Sequence, residues 1–356
     1  MKTRLHKYLA NYLQSIGELG YTVPEIKRNI ESCGVILNGT LTKRQLEWAF
    51  DGSSIELLNW PKRVMGDTSL IQIIHEDEFC IVINKPFGLV VEPGAGHVLD
   101  NVTTWLMDNY PNQNFEKIYK ASDLTDLYKK YGIETRDMKS SDDNSSTRSF
   151  ALPKTGMVHR IDKNTQGILL IAKSLEYYVF FQKQFREHTI LKKYLAIAQG
   201  VVDHKYDVHN YQSRDYSNPI RNRLFWTHKD AMNYSVDSRD AHSYITPVLS
   251  CAELNQTLVE VQIMTGRMHQ IRLQCEALGF PLVGDNVYKS NSTILYDFDL
   301  NPKNSRTLTN PKIQGLTKES FFDLKQNYFG DHKYCLISNQ MSFMLPNAKK
   351  LELKIN

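Results

Sequence analysis

One carboxylate stands between two cations in a short polar segment of the chain. Asp162 lies between Arg160 and Lys163, and an apolar run over residues 168–172 follows closely. Such a run is typical of a buried strand, so a strand end would fix the backbone while the turn leaves the acid open to a ligand. A carboxylate presented in this way can act as a nucleophile or a base, and the two cations favour an anionic ligand.

The elements that would hold this segment are mostly strands. Strands are predicted from their apolar or alternating side chains over residues 71–74, 80–84, 168–172, 192–198 and 258–263. Helices are predicted over 175–186, after the capping residue Ser174, and over 268–278, where Gly279 ends the helix. Because strands outnumber helices and most connections are short, we predict an α+β fold with a mixed, mainly antiparallel sheet.

Length and composition predict a globular protein of two domains. The chain has 356 residues, more than a single domain of about 150 residues needs. With 41% hydrophobic and 23% charged residues, the composition excludes the disordered and collagen-like classes. No run approaches the ~18 apolar residues that cross a membrane, and the N-terminus lacks the apolar core of a signal peptide. We therefore expect a cytoplasmic protein without membrane contact.

Neither a metal site nor a nucleotide-phosphate loop is predicted. The five cysteines are scattered, without Cys-x-x-Cys spacing or paired histidines, so we expect reduced, packed thiols. Glycine-rich phosphate loops of both nucleotide-binding types are missing. The net charge of +4 is modest, so the positions of the cations say more about a nucleic-acid ligand than their number does.

Residues 1–62 are predicted to form a small α+β domain. Apolar residues at helical spacing indicate helices over 4–13 and 24–31. A strand over 35–37 then meets Asn38-Gly39, a dipeptide that is typical of a hairpin turn. The remaining chain, from residue 66 to residue 356, is expected to form the second and larger domain.

The pattern of two helices and a small hairpin resembles the S-four-type RNA-binding domain. Lys27 and Arg28 lie on its second predicted helix, and Lys43 and Arg44 follow the hairpin. The resemblance implies that this domain binds RNA. The alternative is a charged α+β appendage without a ligand, since cations on helices are commonly just solvated.

A flexible insertion is expected in the second domain, at about residues 120–155. Residues 139–149 are polar and low in sequence complexity. Such a run cannot offset its ordering entropy by burial. We interpret the run as a surface loop, not as a domain boundary, because the motifs on either side belong together.

Three blocks of the second domain resemble the RluA-type pseudouridine synthase family. His159-Arg160-Ile161-Asp162 is similar to its His-Arg-Leu-Asp signature, residues 192–196 are similar to its Lys-x-Tyr-x-Ala strand, and residues 266–272 are similar to its arginine-bearing motif. The resemblance covers about residues 65–290 and weakens beyond them. It implies an RNA pseudouridine synthase, an isomerase that acts on specific uridines in structured RNA.

The resemblance assigns three catalytic residues. Asp162 would be the nucleophile, Arg272 the cation that keeps Asp162 ionised, and Tyr194 the ring that stacks on the extruded uracil. A guanidinium opposes the rise in carboxyl pKa that burial causes, and helical spacing from Met268 would point Arg272 into the site. A strand tyrosine is otherwise an ordinary packing residue. Since the isomerisation involves no net oxidation and consumes no water, no cofactor is expected.

Further residues are expected to contact RNA. Arg160 would fill the gap left by the flipped base or, alternatively, pair with a nearby acid. Leu273 would pack beneath the uracil unless it belongs to the plain core. Lys85 is expected to hold the floor of the site in preference to binding phosphate. The expected phosphate contacts are Lys163, Lys192, Lys193, Arg221, Arg223 and Arg267.

The resemblance implies large-subunit ribosomal RNA as the favoured substrate, because an S-four-like domain in this family accompanies that specificity, and transfer RNA stays open. RNA is the expected partner, and a monomer is the expected state. A rival function is a non-catalytic RNA-binding or ribosome-assembly factor that retains the fold. A glycosidase would need a second carboxylate facing Asp162, and the motifs offer none.

Overall fold

The protein divides into two compact units, the first comprising Met1–Thr68 with Gly88–Pro111 and the second Ser69–Phe87 with Asn112–Asn356. This division differs from the expected boundary between residues 62 and 66, because the segment 88–111 groups with the N-terminal residues. The computed structural model describes residues 2–16, 23–58, 60, 66–94, 97, 100–111, 119–133, 149–150, 153–218, 220–289, 305–308 and 313–355.

The first unit contains short strands and helices. Its strands are β1 (Lys2–Arg4), β2 (Val35–Leu37), β3 (Thr40–Thr42), β4 (Trp48–Phe50) and β5 (Ile55–Leu57). Its helices are α1 (Leu5–Ser15), α2 (Val23–Ser32) and α3 (Val102–Asn109). Strands β3, β2 and β5 form one antiparallel sheet, and β1 pairs with β4. The helices α1 and α2 confirm the two N-terminal helices predicted from the sequence.

Helices α1 and α2 share an apolar core. Leu5, Leu9 and Leu13 recur every fourth residue on α1, and Ile26 and Ile30 do so on α2; all five are at most 1% exposed. Side chains four apart lie on one helix face, so this spacing creates a continuous apolar stripe. Burial of each such side chain stabilises the fold by about 1.5–3 kcal/mol.

The predicted hairpin is confirmed at Asn38 and Gly39. These residues have φ angles of 49° and 79°, and they join β2 to β3 with Leu37 opposite Thr40. A two-residue turn of this kind needs positive φ at both positions, which Asn and Gly adopt most readily. The dipeptide therefore fixes the register of the hairpin.

A sheet of twelve strands dominates the described part of the second unit. The strands of this unit are β6 (Gln72–Glu76), β7 (Cys80–Lys85), β8 (Tyr119–Lys120), β9 (Ser149–Phe150), β10 (Gln166–Ala172), β11 (Leu191–Gln199), β12 (Lys205–Arg214), β13 (Asn222–Phe225), β14 (Arg239–Cys251), β15 (Gln256–Ile263), β16 (Ser305–Leu308), β17 (Gln314–Gly315), β18 (Leu336–Met344) and β19 (Lys350–Lys354).

The sheet is mixed and mainly antiparallel, as predicted. Its path runs β13-β12-β14-β15-β11-β18-β10-β7-β6, while β16, β17 and β19 pair with β12, β14 and β18. Within the described residues, the pairs β10–β18 and β14–β17 are parallel and the remaining strand pairs are antiparallel. Strands β8 and β9 form a separate pair.

The helices of the second unit are α4 (Ala121–Lys130), α5 (Leu175–Arg186), α6 (His228–Tyr234), α7 (Gln270–Ala277) and α8 (Lys318–Phe329). Ser174 caps α5 as expected, since its side chain accepts the backbone N–H of Tyr177. Among the helices that the structure describes, none has the length and apolar character needed to span a membrane.

Strand β10 carries the Asp162 turn into the middle of the sheet. Residues 167–172 are buried, between β7 on one side and β18 on the other. Gly167 has a φ of 123°, and a Cβ at this position would lie 2.3 Å from the carbonyl oxygen of Ser338. Only glycine therefore allows β18 to approach β10 at this point.

Helix α7 begins later than predicted. The sequence pattern placed its start at Met268, but His269 has a left-handed φ of 57° and the helix starts at Gln270. The helical spacing from Met268 to Arg272 was therefore wrong as an argument for the orientation of Arg272.

The expected insertion is in part ordered. Helix α4 and the short pair β8–β9 occupy sections of residues 120–155. The polar run that suggested a flexible loop falls largely within residues 134–148, which lie outside the described residues.

Candidate active site

The acid that stands out in the sequence, Asp162, lines a cavity in the second unit. Its turn is closed by the backbone N–H of Thr165, which donates to the Asp162 carbonyl oxygen at 3.0 Å, and β10 starts at the next residue. The side chain of Asp162 is 29% exposed. A ligand can thus reach the carboxylate, while the backbone beneath it is held by the sheet.

Arg272 reaches Asp162 from α7, 110 positions along the chain. Its Nη1 donates to Oδ2 of Asp162 at 3.1 Å. Its Nε and Nη2 donate to the two carboxylate oxygens of Asp285, at 2.7 and 3.0 Å. The bidentate pair with Asp285 fixes the guanidinium plane, so the remaining N–H is aimed at Asp162.

Burial and ion pairing act in opposite directions on these groups. Burial alone would lower the pKa of Arg272, but the hydrogen bonds and charge of Asp285, with the charge of Asp162, raise it above the usual arginine value. Burial alone would raise the pKa of Asp285, yet the Arg272 guanidinium and two backbone N–H groups hold it below its usual value. Both groups are charged at neutral pH, and Asp162 therefore faces a permanent cation.

His269 is a further group at Asp162, and the sequence assigned it no role. Its Nε2 lies 3.6 Å from Oδ2 of Asp162, and its Nδ1 lies 3.1 Å from the phenolic oxygen of Tyr288. Burial lowers the pKa of His269, so the imidazole is neutral at neutral pH. The residue stands inside the motif 266–272 and has a left-handed backbone conformation.

Tyr194 lines the same cavity from β11, opposite Ser338 of β18. Its side chain is 6% exposed, and burial raises the pKa of Tyr194 to about 12. The phenol is therefore protonated at neutral pH. Ile263 and Leu336 add apolar surface to the wall. An apolar wall with a few polar groups that converge on one carboxylate is the usual anatomy of a ligand pocket.

Comparison with known proteins decides the family. Residues 79–277, more than half of the chain, match the family described as RNA pseudouridylate synthase. The chain belongs to this family. It is an RNA pseudouridine synthase, an isomerase. An uncharacterized RNA pseudouridine synthase of Bacillus subtilis is 26% identical to it over 294 residues, which cover 82% of this chain and 80% of that protein.

Other relatives of this pseudouridine synthase agree with that placement. Ribosomal large subunit pseudouridine synthase D of Haemophilus influenzae is 26% identical over 280 residues, which cover 77% of this chain and 72% of that protein. The solved structure of human RNA Pseudouridylate Synthase Domain Containing 1 superposes with a TM-score of 0.50 at 14% identity, over 83% of this chain and 86% of that one. The structural likeness supports the α+β fold.

Lys85 of the synthase lies beneath the Asp162 turn, where the sequence led us to expect a structural lysine. The residue is fully buried, and its Nζ donates to the carbonyl oxygens of Pro86 at 2.8 Å and Lys163 at 3.1 Å. Burial lowers the pKa of Lys85 to about 7, although the charge of Asp162 acts in the opposite direction. Lys85 thus ties β7 to the turn that carries the acid.

The structure brings two of the expected RNA-binding cations to the cavity itself. Arg160 is exposed and lines the cavity, and Arg267 lines it while donating to the carbonyl and carboxylate oxygens of Asp240. Lys163 is half-buried on the same turn as Asp162. Lys193 is held by Glu260 at 2.8 Å. The acid therefore has cations on both flanks, as the sequence suggested.

Two other residues that were expected to contact RNA pack against or pair with protein side chains. Leu273 is fully buried with Leu224, Ala277 and Tyr288, so it belongs to the core and not to the cavity. Arg221 binds both carboxylate oxygens of Glu276, at 3.1 and 2.8 Å. Packing and an ion pair account for the positions of both residues, and their roles as RNA contacts stay predictions.

Lys192 is buried as well, with a side chain that is 5% exposed and a pKa that burial lowers to about 8. Arg223 lies 3.3 Å from Asp215 and over the ring of Tyr234. Neither cation lines the cavity. Lys27 and Arg28, on α2 of the other unit, are half-buried and exposed, respectively.

Proposed function

We propose that Asp162 is the nucleophile with which this synthase isomerises uridine in RNA. The observation that carries the proposal is the placement of Asp162: it is partly exposed in a cavity, and Arg272 donates to it at 3.1 Å. A fixed guanidinium favours the charged form of a carboxylate beside it. An ionised carboxylate is the form in which an aspartate can attack carbon.

In the proposed reaction, a carboxylate oxygen of Asp162 bonds to the anomeric carbon of the ribose as the bond from that carbon to the uracil ring nitrogen breaks. The uracil turns, its ring carbon bonds to the anomeric carbon, and the carboxylate leaves. The ring carbon gives up its proton, and the ring nitrogen gains one. Atoms and electrons balance without an oxidant or water.

In this proposal, Tyr194 and Arg160 hold the extruded uracil and the RNA around it. The protonated phenol of Tyr194 lies in the cavity wall, where its ring can stack on an extruded uracil. Arg160 is exposed at the cavity, where a guanidinium can occupy the gap that the flipped base leaves and contact phosphate. Arg272 is assigned the role of holding Asp162 ionised and correctly oriented.

We infer that large-subunit ribosomal RNA is the substrate. The support is the likeness to ribosomal large subunit pseudouridine synthase D over 77% of this chain. We also infer that the N-terminal residues form an S-four-like unit that adds affinity for RNA through Lys27 and Arg28. Its two packed helices and its Asn38-Gly39 hairpin support that inference.

The decisive variant is Asp162→Asn, which keeps the size of the side chain and removes its charge. We expect it to form no pseudouridine while binding RNA and melting much as the wild type does. Asp203→Asn removes an exposed carboxylate elsewhere in the same unit and should leave the reaction unchanged. Turnover by Asp162→Asn would refute the nucleophile assignment.

Substrate choice is tested by mapping pseudouridines across total RNA with and without the gene. Loss of specific sites in large-subunit ribosomal RNA is the expected result. Loss of sites in transfer RNA alone would replace the ribosomal assignment. If the wild-type protein changed no uridine but bound RNA with a steep salt dependence, a binding or assembly role would be favoured.

A further inference from the structure

Three side chains of metal-ligand type converge on the sheet, outside the candidate active site. Asp207 and His209 lie on β12, and His242 lies on β14. One carboxylate oxygen and two imidazole nitrogens from these residues all lie within 4.8 Å of one another. None of the three lines the cavity at Asp162, so the isomerase reaction does not account for them.

Strand pairing alone places these residues together. Asp207 and His209 are two positions apart, so their side chains project from the same face of β12. His209 lies directly opposite His242 in the antiparallel register. Opposite residues in such a pair have Cβ atoms about 4.5–5.5 Å apart, which brings the two imidazoles within reach of one ion.

Both imidazoles approach the same carboxylate oxygen of Asp207. Nε2 of His242 lies 2.8 Å from Oδ1 of Asp207, and Nε2 of His209 lies 3.4 Å from the same oxygen. The two rings are stacked, with centroids 3.6 Å apart and planes inclined by 24°. In a tetrahedral site with bonds of about 2.1 Å, neighbouring ligand atoms are about 3.4 Å apart. The His209–Asp207 distance already matches this value, and the ligand atoms of His242 and Asp207 would separate by roughly 0.6 Å to admit an ion.

The backbone that carries these ligands is firmly held. His242 donates its N–H to Oγ1 of Thr265 at 3.0 Å, and its carbonyl oxygen accepts from Met264 N–H and Gln270 Nε2, each at 3.0 Å. Strands β12 and β14 each have paired neighbours on both sides. Ligands on rigid strands keep their geometry better than ligands on loops.

We propose that Asp207, His209 and His242 bind a divalent transition-metal ion of the Zn²⁺ class. Two imidazole nitrogens and one carboxylate oxygen suit Zn²⁺ and its transition-metal neighbours better than Ca²⁺ or Mg²⁺, which prefer oxygen ligands. The His209 side chain is 56% exposed, so the remaining coordination position faces solvent. A site of this kind keeps one position open for water or for an anionic ligand.

The test is a titration of the full chain, stripped with a chelator, with Zn²⁺ and separately with Co²⁺, whose visible absorption reports a low-coordinate nitrogen and oxygen environment. The wild type should saturate with one equivalent at this site. His209→Ala and His242→Ala should each weaken binding by at least about tenfold. His204→Ala is the matched control, because His204 pairs with Asp203 and no third metal-ligand side chain joins that pair in the described part of the chain.

The melting temperature in chelator shows whether each variant folds, and added Zn²⁺ should raise it for the wild type and for His204→Ala but not for the two site variants. Equal Zn²⁺ affinity in the wild type and in a His209→Ala/His242→Ala double variant would overturn the proposal, as would the absence of binding by the wild type. The cluster would then be a histidine–carboxylate hydrogen-bond network.

Asp162→Asn should bind the ion as the wild type does, so the metal titration and the test of the isomerase site give independent results.

Discussion

Arg272 is central to the candidate active site, because its guanidinium donates hydrogen bonds to two carboxylates. Asp285 has a fully buried side chain and takes two of its donors, which leaves a single directed N–H for Asp162. A lysine carries the same charge but offers a point charge instead of a planar fork. The shape of the cation, and not only its sign, therefore matters here.

Replacement of Arg272 by lysine should lower kcat/KM for pseudouridine formation by at least about tenfold while the protein still folds. Replacement by alanine should destabilise the protein by about 3–5 kcal/mol, because it leaves the buried Asp285 carboxylate without its partner. Single-turnover kinetics and denaturant unfolding measure the two effects.

Arg221→Lys is the matched control, since Arg221 forms an ion pair of the same kind with Glu276 outside the cavity. It should lower stability and leave kcat/KM of the folded protein nearly unchanged. If instead Arg221→Lys lost activity as Arg272→Lys does, the structural role given to Arg221 would be wrong.

Lys85 gives the stability a defined dependence on pH. Its pKa is about 7 in the folded protein, against 10.5 for the ordinary side chain, because burial disfavours the charged form. Below pH 7 the lysine is charged in both states, and the cost of burying the charge is fully present. Between pH 7 and 10.5 only the unfolded state keeps the proton, so stability rises with pH.

The free energy of unfolding of the wild type, relative to Lys85→Met, should therefore rise from about pH 7 towards pH 10.5, by up to about 1.4 kcal/mol per pH unit. Urea unfolding at a series of pH values measures the difference. Lys350→Met, at an exposed position, controls for the loss of one positive charge. A difference that stays flat over this range would show that Lys85 keeps its proton in the folded protein.

At the scale of secondary structure, the short distance between β10 and β18 determines how Asp162 and Tyr194 are placed relative to each other. The Asp162 turn leads into β10, while β18 carries Ser338, which lies opposite Tyr194. Gly167 makes the approach possible because a side chain would collide with the Ser338 backbone. The geometry between the acid and the tyrosine thus depends on a residue that touches neither.

Gly167→Ala should destabilise the protein by about 1–3 kcal/mol, since a Cβ would lie 2.3 Å from a backbone oxygen and the φ of 123° strains an alanine. The loss of activity should exceed the loss of folded protein, as the strands that hold Asp162 and Tyr194 are pushed apart. Gly315→Ala, on β17, meets no atom within 4 Å and should change stability by less than about 0.5 kcal/mol. Equal melting temperatures for the two variants would contradict this account of the strand pair.

At the scale of the whole molecule, the net charge of +4 is small for an RNA-binding protein. Affinity must then come from local groups of cations and not from the overall field. We propose that Lys27 and Arg28 of the N-terminal unit form one such group.

Lys27→Gln/Arg28→Gln should weaken RNA binding and reduce the steepness of log affinity against log salt by about one to two. The reason is that RNA binding releases fewer counterions when the protein makes fewer phosphate contacts. Turnover of bound RNA should not change. Lys349→Gln/Lys350→Gln removes two adjacent exposed cations elsewhere and serves as the control. Binding curves over a range of salt concentrations measure both, and identical slopes for the two double variants would refute RNA binding by this unit.

The sequence alone determined much of what is local. Helical and alternating apolar patterns located α1, α2, α5 and the strands β2, β7, β10, β11 and β15, because period and turn chemistry act over a few residues. The resemblance to a known family pointed to Asp162, Tyr194 and Arg272, which the structure brings to one cavity. Local patterns do not predict every backbone conformation. The left-handed His269, which shortens α7, follows no propensity.

The tertiary structure decided which residues meet. Leu273 and Arg221 carry suitable chemistry for RNA, but packing against Tyr288 and pairing with Glu276 direct them elsewhere. Asp285 emerged as the second partner of Arg272, and the cluster of Asp207, His209 and His242 emerged from strand register. Contacts between distant segments depend on how sheets and helices pack, and no short window of sequence contains that information.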